Sequence, residues 1–120
     1  MATIADRVFD NGLTVLDTEA NVIHICSAEP SVYGTLNSLG NSSSLSIGAP
    51  ADRSGGGREV TVAAISDGSV TSTGTATHYA IVDTSNSRLL ATGALSASQV
   101  VTSGNSFTLG SFTIGIPDPA

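Results

Sequence analysis

Apolar residues first recur at helical spacing. Ile4, Val8 and Phe9 form a stripe that Leu13, Leu16 and Ala20 continue at intervals of three and four. This predicts a short N-terminal helix over 3–19, with Thr3 as N-cap and Asp6 in the place of the usual Glu of a capping box. Asn11-Gly12 interrupts the stripe and predicts a kink. At Asn21 the pattern turns to a β-branched run, Asn21 to Ser27, which reads as a strand ended by Glu29-Pro30. Residues 31–57 are dense in Ser, Asn, Gly and Pro and read as a long irregular segment. A loop of this length is uncommon in a compact domain, so it is expected to lie against a partner or to hold a short strand near Leu45 to Gly48. After Gly57 the alternation predicts a β-meander with strands Arg58–Ser66, Ser69–Thr73, Thr75–Asp83, Arg88–Ala94, Gln99–Thr102 and Ser106–Ile116. Asp67-Gly68, Gly74, Ser85-Asn86-Ser87, Gly93 and Gly104-Asn105 punctuate it, and Asp67-Gly68 is a two-residue hairpin signal.

Two strands carry more detail. In Thr75–Asp83 both phases are partly apolar, as in a strand covered on both faces. In the last strand Phe107 and Leu109 hold one phase and Phe112, Ile114 and Ile116 the other, which predicts a bulge or bend at Gly110-Ser111. Pro117-Asp118-Pro119 closes the pattern. The expected fold is mainly β, an antiparallel β-sandwich or jelly-roll-like meander with one short N-terminal helix, forming a single domain over 1–120.

The length of 120 residues fits one domain with a real core. Ser and Thr suit the turns and strands. Charged residues are only 12% of the chain, Lys is absent, and the net charge is -6. That balance argues against nucleic acid and against an anionic membrane surface as partners. Without Lys, the usual guard of sheet edges, the edges are expected to be covered by loops or by other subunits. No apolar run reaches the ~18 residues of a membrane span, and the first residues lack the pattern of a signal peptide.

Candidate chemistry is sparse. Cys26, the single cysteine, cannot form an intramolecular disulfide and reads as a buried, inert thiol. His24 is two residues away on the same strand face, a weak hint of contact. His78 reads as structural, and Glu29 as a carboxylate in a strand-ending turn. Ser54-Gly55-Gly56-Gly57-Arg58 has the glycines of a phosphate loop but neither its lysine nor its helix. No zinc spacing, calcium loop or nucleophile elbow occurs. The expectation is a protein that is not an enzyme, with no catalytic residue, metal or cofactor.

Several segments together are distinctive: Ile23-His24-Ile25-Cys26-Ser27-Ala28-Glu29-Pro30, Ile47-Gly48-Ala49-Pro50-Ala51-Asp52, Gly57-Arg58-Glu59-Val60-Thr61-Val62, Ser66-Asp67-Gly68-Ser69-Val70-Thr71, Gly74-Thr75-Ala76-Thr77-His78-Tyr79-Ala80, Ser87-Arg88-Leu89-Leu90-Ala91-Thr92-Gly93 and Gly115-Ile116-Pro117-Asp118-Pro119. In these the chain resembles a family of small virion structural proteins of tailed bacteriophages and prophages. In composition it is similar in kind to head decoration (cement) proteins. The resemblance implies a virion protein made in the host cytoplasm, and the likeness to decoration proteins implies the major capsid protein as partner; the lack of Lys, the few charges and the two-sided apolar strands predict a homo-oligomer, a trimer, as its assembled state. A neck, tail or fibre-attachment protein is the alternative it implies. A small ligand- or carbohydrate-binding module is a third reading, weakened by the lack of Trp for a sugar platform. The expected protein-interface residues are Tyr33 and Leu36 as apolar anchors and Arg53 and Arg58 as electrostatic contacts, all within or beside the 31–57 segment.

Overall fold

The computed structural model describes residues 6–117. It is mainly β, with antiparallel sheets and one helix. Helix α1 spans Asp6–Glu19. The strands are β1 (Val22–Cys26), β2 (Ser38–Ser42), β3 (Ala51–Asp52), β4 (Arg58–Val62), β5 (Ile65–Val70), β6 (Gly74–Asp83), β7 (Arg88–Val101), β8 (Ser106–Leu109) and β9 (Phe112–Ile116). Sheet order is β7-β6-β1-β2-β5-β8 in a six-stranded sheet and β3-β4-β9 in a three-stranded one. The contacts group the chain into two compact units. One holds the helix, Ser46–Ala64 and residues 110–117, and the other holds Ala20–Leu45 and Ile65–Leu109.

In the first unit the helix runs unbroken through Asn11-Gly12 and buries Leu13 and Leu16. The predicted start at 3 and its Thr3 cap lie outside the described residues. Strand β4 pairs with β3 and along its whole length with β9, and it buries Val60 and Val62. Ile47 makes only an isolated bridge to Val62, so the strand expected near Leu45 to Gly48 is reduced to one pair.

In the second unit β6 lies between β1 and β7, with Ala76, Ala80, Ile81 and Val82 buried, as its two-sided apolar pattern predicts. Ile23 and Ile25 of β1 are fully buried beside it. The sheet curls. Gln99 Nε2 of one edge strand donates to the Thr108 carbonyl of the other at 3.3 Å.

Five expectations need correction. Segment 31–57 is not one irregular stretch. It holds a 3-10 turn at Tyr33–Thr35, β3, and β2, a strand interior to the six-stranded sheet. Gly40 explains β2, because a Cβ there would collide with the Ser69 carbonyl of β5. Asp67-Gly68 is not a hairpin turn but lies inside β5. Gly68 pairs with Phe107 and leaves room for its ring over the strand. The chain after Gly57 is no simple meander, since β6 and β7 are its only consecutive strands that pair. Arg58–Ser66 divides at Ala63-Ala64 into β4 and β5, which join different sheets. The expected break at Gly110-Ser111 is present and separates β8 from β9 in the same manner. Strand β7 is continuous where two strands are predicted. Its pairing with β6 nonetheless jumps from Ala94 to Gln99, leaving 95–98 as an extruded bulge.

Candidate functional site

The expected interface residues divide between the two units. Arg58 projects from β4 into a cluster of acceptors. Its Nε donates to Asp10 Oδ1 at 2.9 Å, Nη2 to Asp10 Oδ2 at 3.3 Å, Nη1 to Asp52 Oδ1 at 2.6 Å and Nη2 to the Pro50 carbonyl at 3.3 Å. The guanidinium therefore ties the helix to the β3–β4 hairpin within this unit. Arg53 sits in the turn of that hairpin, with Nη1 donating to the Gly56 carbonyl at 3.0 Å. Both arginines hold local structure as they stand. In the other unit Tyr33 and Leu36 are half-buried at the 3-10 turn. Val32, just before them, is exposed.

Sequence reasoning gave Glu29 no role beyond a turn. The structure brings it across the sheet. Glu29 Oε1 accepts from Thr92 Oγ1 at 3.2 Å, and its Oε2 lies 3.7 Å from His78 Nε2. Thr77 Oγ1 in turn donates to the Ser27 carbonyl at 3.0 Å, so the segment after β1 is held down at two points. Beside it runs an open groove of about 340 Å³ lined by Glu29, Pro30, Ser31 and Leu89, Leu90, Ala91 and Thr92. No charged residue occurs between Arg88 and Asp118. Glu29 is thus the only charge in the lining.

Four further titratable groups serve the fold. Burial pushes the Cys26 thiol up to about 11, which leaves almost no thiolate at neutral pH. His24 pairs through Nδ1 with Ser38 Oγ at 2.8 Å, and burial lowers its pKa. Asp67 accepts from Ser44 Oγ at 2.5 Å and Ser42 Oγ at 2.9 Å, and these bonds hold its carboxyl below the ordinary range. Asp83 is lowered first by the Asn86 side chain, which donates to it at 2.7 Å. Among the described residues no group of three or more His, Cys, Asp or Glu side chains could hold a metal ion, and no helix is long and apolar enough to cross a membrane.

Comparison with family models, curated proteins and solved structures finds no match to this chain.

Proposed function

We propose that the chain is a non-enzymatic bacteriophage virion structural protein: a capsid decoration protein that binds the outside of the head and stabilises it. The observation that carries this reading is the outer edge of β7. It ends the six-stranded sheet, and the chain has neither a lysine nor, from Leu89 to Val101, any charge to guard it. From Leu89 to Thr92 this edge pairs with no other strand among the described residues, and such an edge favours a role in assembly. On a head, weak contacts repeated over a symmetric lattice add to a firm hold. The sequence resemblance supports the virion setting.

The test is the stoichiometry of the chain in purified particles. Hundreds of copies per virion are expected. Six or twelve copies would place the chain at the neck or tail instead, and absence from particles would end the virion reading.

A further inference from the structure

Four consecutive residues of β7, Leu89, Leu90, Ala91 and Thr92, line one wall of the groove opposite Glu29-Pro30-Ser31. Successive side chains of a strand point to opposite faces. Leu90 is the exception, the extra residue of a bulge, while Leu89 and Thr92 pair with Val82 and Ala80 of one phase of β6, so this wall belongs to the face of β7 that Glu29 crosses. Beside this face runs the outer edge of β7, because β6 occupies the other side of the strand. That edge carries main-chain donors and acceptors alongside the groove.

The one charge there is Glu29, whose side chain is 61% exposed. It accepts a single hydroxyl bond from Thr92, and the His78 nitrogen at 3.7 Å is beyond hydrogen-bond length. A carboxylate has about four acceptor sites, so Glu29 keeps capacity for a guest. We propose that the outer edge of β7 is a strand-addition site for an extended segment of a partner protein carrying an arginine or lysine. This rests on the assembly reading above and names its contact. Main-chain bonds to β7 supply the hold, and the basic side chain, lying on the Thr92 face, reaches Glu29.

A second copy of the chain fits less well. Arg88 pairs with Asp83 and Thr92 with Ala80, and the pairing slips between Ile81 and Val82, so Leu90 is an extra residue. Asp83 and Ala80 occupy opposite phases of β6, so Arg88 and Thr92 lie on opposite faces. Two β7 edges meeting about a two-fold axis keep their faces matched. Arg88 of one copy then cannot meet Glu29 of the other.

The test pans a library of random displayed octapeptides against the intact chain, with the Glu29→Gln and Glu29→Lys variants in parallel. Glu29 is exposed, so both variants should fold. Enrichment of basic residues flanked by β-branched ones is expected. Binding of the enriched peptides should fall at least tenfold in Glu29→Gln, and selection on Glu29→Lys should turn to acidic peptides. Bound peptide should slow amide exchange across 89–94. The proposal is overturned if no peptide is enriched, if Glu29→Gln binds as tightly, or if protection falls elsewhere. It is also overturned if the chain is a dimer in sedimentation that Ala91→Lys in β7 dissolves. The two readings separate cleanly. A chain abundant in particles that binds no such peptide keeps its virion role and loses this site, while peptide binding by a chain absent from particles does the reverse.

Discussion

Removing the Arg58 side chain is the sharpest test of how the helical unit is held. Its guanidinium makes a two-pronged contact with Asp10 at 2.9 and 3.3 Å. Arg58 is 17% exposed and Asp10 34% exposed. Hydrogen bonds to charged groups contribute roughly 1.5–3 kcal/mol each where water is excluded. Water reaches Asp10, so the pair is discounted to about 2 kcal/mol in total. Asp52 bonds at only 2.6 Å but is 89% exposed, and an exposed pair contributes less than about 1 kcal/mol. The buried part of the Arg58 stem adds about 1 kcal/mol of apolar packing. Arg58→Ala should therefore cost about 3 kcal/mol and Arg58→Met, which keeps the stem, about 2. Asp10→Asn should cost about 1–2 kcal/mol and Asp52→Asn less than about 0.5. Urea unfolding followed by circular dichroism reads each value, and a double-mutant cycle between positions 10 and 58 isolates their coupling. The contrast between the two aspartates is the critical result. If Asp52→Asn costs as much as Asp10→Asn, the shorter bond outweighs burial and the reasoning fails. An Arg58→Met protein as stable as the parent would refute the ion pair altogether.

Gly68→Ala should destabilise by roughly 1–3 kcal/mol, the usual range for an overpacked interior, because its Cβ meets the Phe107 ring. Phe107→Leu should recover part of that loss in the double variant, which thermal unfolding would reveal. His24 has a lowered pKa, so the unfolded chain takes up its proton first as pH falls. Stability from His24 is complete above the ordinary imidazole value near 6.5 and is lost as pH drops through it toward the folded value. The loss between pH 7 and pH 5 should shrink in His24→Asn, and an unchanged slope in denaturant titrations would reject the assignment. With its pKa near 11, Cys26 should react with a disulfide reagent at least about a hundredfold more slowly in the native protein than in urea. Equal rates would mean that the thiol is accessible. Amides of β2 should exchange as slowly as those of β6, whereas those of Ser54–Gly56 exchange fast; rapid exchange across Ser38–Ser42 would remove β2 from the sheet.

What the sequence discloses follows what each residue does locally. The helix is readable because Leu13 and Leu16 stand at the spacing that buries one face, and β6 because its apolar residues occupy both phases. The break before Phe112 is readable because a strand cannot exchange its faces without an interruption. Strand β2 is hidden for the opposite reason. Its sequence, Ser38-Leu39-Gly40-Asn41-Ser42, suits a loop by composition, and it is a strand because β1 and β5 flank it and Gly40 admits the β5 backbone. Asp67-Gly68 misleads in the same way, since its glycine serves a ring 39 positions later rather than a turn. The candidate site is harder still. Arg58 is conspicuous as one of four basic residues, yet its commitment depends on Asp10, 48 residues away. Glu29 becomes a groove wall only because Thr92, 63 residues on, stands two strands across the sheet from β1. The absence of lysine was the legible part, because an unguarded edge is a property of composition. Which strand would be left at the edge is a property of pairing order, and the order here joins β1 to β6 and β2 to β5 across intervals that no local pattern records.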